Sequence, residues 1–222
     1  MSLSSSNFRA DATQFKRSLR RLQQDVLRMG TLVESSFRLS HEALFHRHLE
    51  VIPEINLLDD QVDQYYRQIE LECASLITKQ GPAAQDLRLL SAFMQLVRDI
   101  ERIGDYAEDL GEIAIKLFPY PVPDCMVEIA EMSHNAQAML AKSLVALGDL
   151  DATTGSEIKR LDDVVDDAHD RIYQILAFQR DVPGIVEPII LLALIIRHLE
   201  RMADHATNIG QRVTYIVTGH RD

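Results

Sequence analysis

Apolar positions recur at steps of three and four along almost the whole chain, the spacing of the buried stripe of an amphipathic helix. Phe8, Phe15, Leu19, Leu22, Val26, Met29 and Val33, with Ala12 in the early gap, predict one long helix over about residues 8–47. After Pro53 a second stripe of Ile55, Leu58, Val62, Tyr66 and Ile69 runs to about Thr78, where Gln80-Gly81-Pro82 punctuates it. A third helix is predicted from about Ala83 to Leu117, carrying Ile100, Ile103, Ala107, Leu110, Ala114 and Leu117. Pro119, Pro121 and Pro123 then crowd a segment near the midpoint, which reads as a linker. The second half follows the same plan. Helices are predicted over about residues 124–147 and 154–178, with Thr154 or Ser156 as cap. A break at Asp181-Val182-Pro183-Gly184 precedes a last long helix to about Thr218. No stretch alternates as a strand does.

The two halves also share residues. Arg98–Gly111 reads RDIERIGDYAEDLG and Arg197–Gly210 reads RHLERMADHATNIG, with six of fourteen positions identical at an offset of 99. Leu58–Asp63 (LDDQVD) matches Leu161–Asp166 (LDDVVD) at an offset of 103, so the second half has the shorter connection between its last two helices. A fixed-offset duplication that preserves both charge and apolar phase marks an internal repeat. The expected architecture is all-α: two three-helix bundles, residues 1–119 and 124–222, related by pseudo-twofold symmetry. Gly104/Ala203 and Ala107/Ala206 are small residues that let helices approach closely.

Composition narrows the function. The 222 residues are 46% hydrophobic with 9 Gly and 7 Pro, enough for a sizeable core. A net charge of −11 opposes non-specific binding of nucleic acid. The exception is local: Arg9, Lys16, Arg17, Arg20, Arg21, Arg28 and Arg38 outnumber Asp11, Asp25 and Glu34 on the first helix. Cys73 and Cys125 have no metal-ligand or redox spacing and read as buried thiols of a reducing compartment. The N-terminus lacks a signal-peptide core, and the longest apolar run, Pro188–Ile196, is too short to span a bilayer. A cytoplasmic protein is expected. His41, His46 and His48 crowd the end of the first helix and read as a solvated face. No Gly-rich phosphate loop and no Ser/His/Asp or Cys/His nucleophile arrangement is present.

The chemistry lies in paired acids. Asp59/Asp63 and Glu101/Asp105 in the first half, and Asp162/Asp166 and Glu200/Asp204 in the second, are spaced i, i+4. Each pair therefore shares one helix face. If the two pairs of a half face one another, four carboxylates must protonate, recruit Arg or Lys, or bind a cation. Hard oxygen ligands suit Mg²⁺, Ca²⁺, Mn²⁺ or iron. Arg98, Arg102, Arg197 and Arg201 are the alternative counter-ions.

ERIGDYAEDLG and ERMADHATNIG, each with its upstream LDDxVD, resemble the duplicated signature of the PhoU family of phosphate-signalling regulators over about residues 8–218. The resemblance implies a multinuclear metal site on each repeat, formed by the eight acids just named, holding divalent or trivalent ions such as iron, zinc, manganese or magnesium. It implies no catalysis. It implies a negative regulator of the phosphate-starvation response, a likeness that also brings a homodimer and, as partners, the phosphate ABC transporter ATPase and a sensor histidine kinase. The second copy keeps the form Asp204-His205-Ala206-x-Asn208, where the first has Tyr106 and Asp109. Asp109 and Asn208 are thus candidate additional ligands. The alternative reading is a carboxylate-bridged metal oxidase or hydrolase in a helical bundle, although Glu-x-x-His spacing is absent from the constellation.

Overall fold

The computed structural model describes residues 3–178 and 185–220. The break expected at residues 181–184 lies outside them, as do the side chains of Phe8, Arg9, Asp11, Ala12 and Ser156. Among the described residues six helices form the fold: α1 (Leu3–Phe45), α2 (Ile52–Gln80), α3 (Ala84–Leu117), α4 (Met126–Asp149), α5 (Gly155–Ala177) and α6 (Glu187–Thr218). A single 3-10 turn, Leu49–Val51, precedes α2, and no strand occurs among the described residues.

Local chemistry explains the boundaries. Pro53 sits in the first turn of α2, where its missing amide costs nothing. Gly81 ends that helix at φ 51°, left-handed backbone that glycine adopts without a Cβ penalty. Thr154 does precede α5 but supplies no side-chain cap; its hydroxyl donates to Asp151 Oδ2 at 2.7 Å. The proline-rich segment between α3 and α4 is pinned from α1's side. The Arg47 guanidinium lies 4.5 Å above the Phe118 ring and donates to the Phe118 and Tyr120 carbonyls.

α1, α2 and α3 pack on one another, as do α4, α5 and α6. The halves meet mainly through α3 on α6, as extensive a contact as α3 on α1, and secondarily through α1 on α4. One apolar core therefore runs through both repeats. Leu22, Val26, Met29 and Val33 of α1, Phe93, Leu96, Ile100 and Ile103 of α3, and Leu199, Met202, Ala206 and Ile209 of α6 are all fully or almost fully buried. Close approach relies on glycine at Gly30, where a Cβ would fall 2.4 Å from Leu144 Cδ2 across the α1–α4 contact.

His41 departs from the solvated face expected of it. It is buried between α1 and α4, with Nδ1 2.9 Å from Ser133 Oγ and its ring 4.3 Å from that of His134. Burial, reinforced by His134, pulls its pKa down to about 4. His46 and His48 remain beside Glu42 at the surface. Cys73 and Cys125 are buried free thiols, and burial pushes Cys73 up to about 12.

Candidate metal centres on the two repeats

On the first repeat, Asp59 and Asp63 project from α2 and Glu101 and Asp105 from α3. The two helices pack closely at Gly104, where a Cβ would make ordinary contacts 3.6 Å from Val62 Cγ1 and 3.8 Å from Asp59 Oδ1. Packing thus brings two acid-bearing faces into one field. The Asp59 carboxyl is raised above its ordinary value by burial first, then by Asp105, Asp63 and Asp60. Glu101 is raised by burial and Asp105, with Arg102 opposing and Asp63 and Asp59 adding to the rise. Glu108 joins the group; burial raises it, and Asp59 is the first of its charged neighbours. Glu108 lies outside the i, i+4 pairs that the sequence points to. The signal was there, since Glu101, Asp105 and Glu108 follow the same 4/3 step as the apolar stripe.

The second repeat places Asp162 and Asp166 on α5 and Glu200 and Asp204 on α6. Asp166 is raised by burial, then by Asp162 and Asp204. Glu200 is raised by burial against the pull of Arg197, with Asp204 adding to the rise. Asp162 is 5% exposed; its Oδ2 accepts from Lys159 Nζ at 2.8 Å, and its buried Oδ1 has no hydrogen-bond partner.

Each repeat therefore gathers the acids into mutual repulsion, but not into a ready coordination shell. Among the described residues, no three His, Cys, Asp or Glu side chains stand close enough to hold a metal ion. The reason is visible in the ion pairs. Arg67 takes Asp63 at 2.8 Å and Arg102 takes Asp105 at 2.9 Å. Lys159 takes Asp162, Arg197 takes Glu200 at 2.6 Å, and Arg201 takes Asp204 at 3.4 Å. Each of the five pairs lies within one helix, so each draws its carboxylate along that helix and not toward the facing one. Exposed pairs of this kind contribute only ~0–1 kcal/mol each. The donor set still fits a hard cation: oxygen only, with Asp59, Glu101, Glu108 and Asp166 outside every ion pair found and one oxygen of Asp162 orphaned.

Asp109 and Asn208 are engaged elsewhere. Asn208 Nδ2 donates to Asp99 Oδ1 at 3.3 Å, beside His205 Nδ1 at 2.9 Å from the same oxygen. Asp109 Oδ2 lies 4.0 Å from His198 Nε2. Both residues belong to the contact between α3 and α6, so the sequence difference between the two motif copies is a difference at the inter-repeat seam.

The family model described as the PhoU domain matches the chain twice, over residues 26–114 and 129–213. The chain belongs to the PhoU family. A Synechocystis protein named a phosphate-specific transport system accessory protein PhoU homolog is 64% identical over 208 residues, covering 94% of this chain and 93% of its own. Its namesake in Deinococcus radiodurans is 31% identical over 205 residues, covering 92% and 96%. Two solved structures have the same fold. PhoU of Pseudomonas aeruginosa superposes with a TM-score of 0.89 at 30% identity, over 93% of this chain and 100% of its own. The phosphate transport system regulatory protein PhoU of Streptococcus pneumoniae gives 0.86 at 27%, over 94% and 99%. The two curated relatives are named as accessory proteins, and the Streptococcus pneumoniae protein as a regulatory protein. No helix among the described residues is long and apolar enough to cross a membrane.

Proposed function

We propose that the chain is a cytoplasmic accessory regulator of phosphate transport, which holds the phosphate-starvation response off by linking the phosphate ABC transporter ATPase to a sensor histidine kinase. The observation that carries this reading is the 64% identity, across nearly the whole of both chains, to a protein named for accessory function in phosphate-specific transport. Long helical faces and duplicated acid clusters suit a protein that works by docking. In the reading, Asp59, Asp63, Glu101 and Asp105, and separately Asp162, Asp166, Glu200 and Asp204, hold divalent or trivalent metal ions. Bound metal would supply the positive charge that relieves the repulsion and would tie α2 to α3 and α5 to α6. The protein acts as a homodimer. Lys16, Arg17 and Arg20, exposed on α1, form its basic contact surface.

The test is a phosphate-regulated reporter in a deletion strain. Loss of the protein is expected to leave the reporter on in phosphate-rich medium, and the wild-type gene to restore repression. Normal repression in the deletion strain defeats the reading.

A further inference from the structure

The contact between α3 and α6 is symmetric in position but not in residue type. Asp99 meets residues 205 and 208 while residue 198 meets Tyr106 and Asp109, so the two helices run antiparallel across a pseudo-twofold axis. The repeat offset of 99 carries each of these contacts onto another. Asp99 with His205, at 2.9 Å, becomes His198 with Tyr106, whose rings are 5.2 Å apart. Asp99 with Asn208, at 3.3 Å, becomes His198 with Asp109, at 4.0 Å. Tyr106 with His205, rings 6.1 Å apart, maps onto itself.

Positions related by this axis nevertheless hold different chemistry: Asp99 against His198, Tyr106 against His205, Asp109 against Asn208. In the same geometry formed by two copies of α3, Asp99 would face the other copy's Asp109 and Tyr106, twice over. That places two carboxylate–carboxylate contacts where the Asp99 side chain is only 13% exposed. Two copies of α6 would set His198 against His205 and Asn208, leaving every imidazole without a carboxylate. Only α3 on α6 offers each aspartate a histidine. Contacts that reward one pairing and penalise its competitors are how a self-complementary surface becomes selective.

We propose that the α3–α6 seam is a recognition surface specific for the opposite repeat: α3 accepts an α6, its own or that of a second copy of this chain, and rejects another α3. Two chains then use this surface only by exchanging whole second repeats about the segment between α3 and α4.

Charge exchange in the full-length protein tests it. Asp99→His sets two imidazoles against each other across the seam, and His205→Asp sets two carboxylates there. The double variant restores an opposite pair with reversed polarity. Each single variant is expected to lower the thermal midpoint by about 3 °C or more, and the double to regain at least half of the loss. Should a single variant fail to fold, recovery of helical circular dichroism in the double is the same result. Differently tagged Asp99→His and His205→Asp chains are also unfolded and refolded together. Exchange pairs an imidazole with a carboxylate at both seams of the mixed dimer, so native mass spectrometry is expected to find more mixed dimer than in a wild-type mixture treated alike. A double variant no more stable than the worse single, or mixed dimer at the wild-type level, overturns the proposal.

Discussion

Glu101→Gln is expected to stabilise the metal-free protein at neutral pH, because Gln keeps the shape of the side chain and removes a charge its neighbours oppose. Glu101 feels three like charges, from Asp105, Asp63 and Asp59, against one opposite charge from Arg102. At ~0.2–0.5 kcal/mol for each such pair on a helix surface, the net repulsion relieved is about 0.4–1 kcal/mol. For a chain of this size that raises the thermal midpoint by about 1–4 °C. The pH dependence follows from the direction of the shift. Glu101 titrates above its ordinary value in the folded protein, so in the window between the two values the unfolded chain has already released its proton. Stability is lost as pH rises through that window, and the full penalty is present above it. The gain from Glu101→Gln should therefore be complete at pH 7.5 and fade toward pH 4. Thermal unfolding followed by circular dichroism in EDTA, at both pH values, measures it. Excess Mn²⁺ should reverse the order, since an ion at about 100 times its Kd stabilises wild type by ~2.7 kcal/mol and finds fewer ligands in the variant. A lower midpoint for Glu101→Gln in EDTA at pH 7.5 would refute the repulsion. Unchanged bound Mn²⁺ in Glu101→Gln/Glu200→Gln would refute the ligand assignment.

Three further outcomes are expected. Phe93 is fully buried on α3, and Phe93→Ala should cost about 3–5 kcal/mol, read from urea unfolding; a loss under 1 kcal/mol would contradict the packing. His41 titrates near 4 in the fold against 6.5 in the unfolded chain, so it stabilises above pH ~6.5 and that stability is lost as pH falls toward 4. His41→Gln should flatten this part of the stability profile between pH 7 and 4.5, and an unchanged slope would exclude His41 as its source. Reversing Lys16, Arg17 and Arg20 to Glu should weaken reporter repression while leaving Mn²⁺ content unchanged, and full repression would remove α1 from the contact surface.

Helix number, helix type and the duplication were all legible in the chain itself, for a physical reason. A 3/4 apolar stripe decides which face of a helix is buried regardless of what covers it, and proline and glycine stop helices through their own backbone geometry. The acid pairs were legible too, because i, i+4 spacing fixes which side chains share a face. What covers a face is decided in three dimensions. His41 continues the step Val33, Phe37, His41, Leu44, which His46 and His48 leave, but an imidazole on that step has a buried partner only because α4 brings Ser133 and His134 against it. Glu108 met Asp59 only when α2 lay down beside α3. The sharpest case is the pair of motif copies. Tyr106 against His205 and Asp109 against Asn208 look, along the sequence, like variations in a ligand set. Packing turns them toward the opposite repeat, because a side chain's role depends on the helix it meets, and that meeting belongs to the tertiary fold alone.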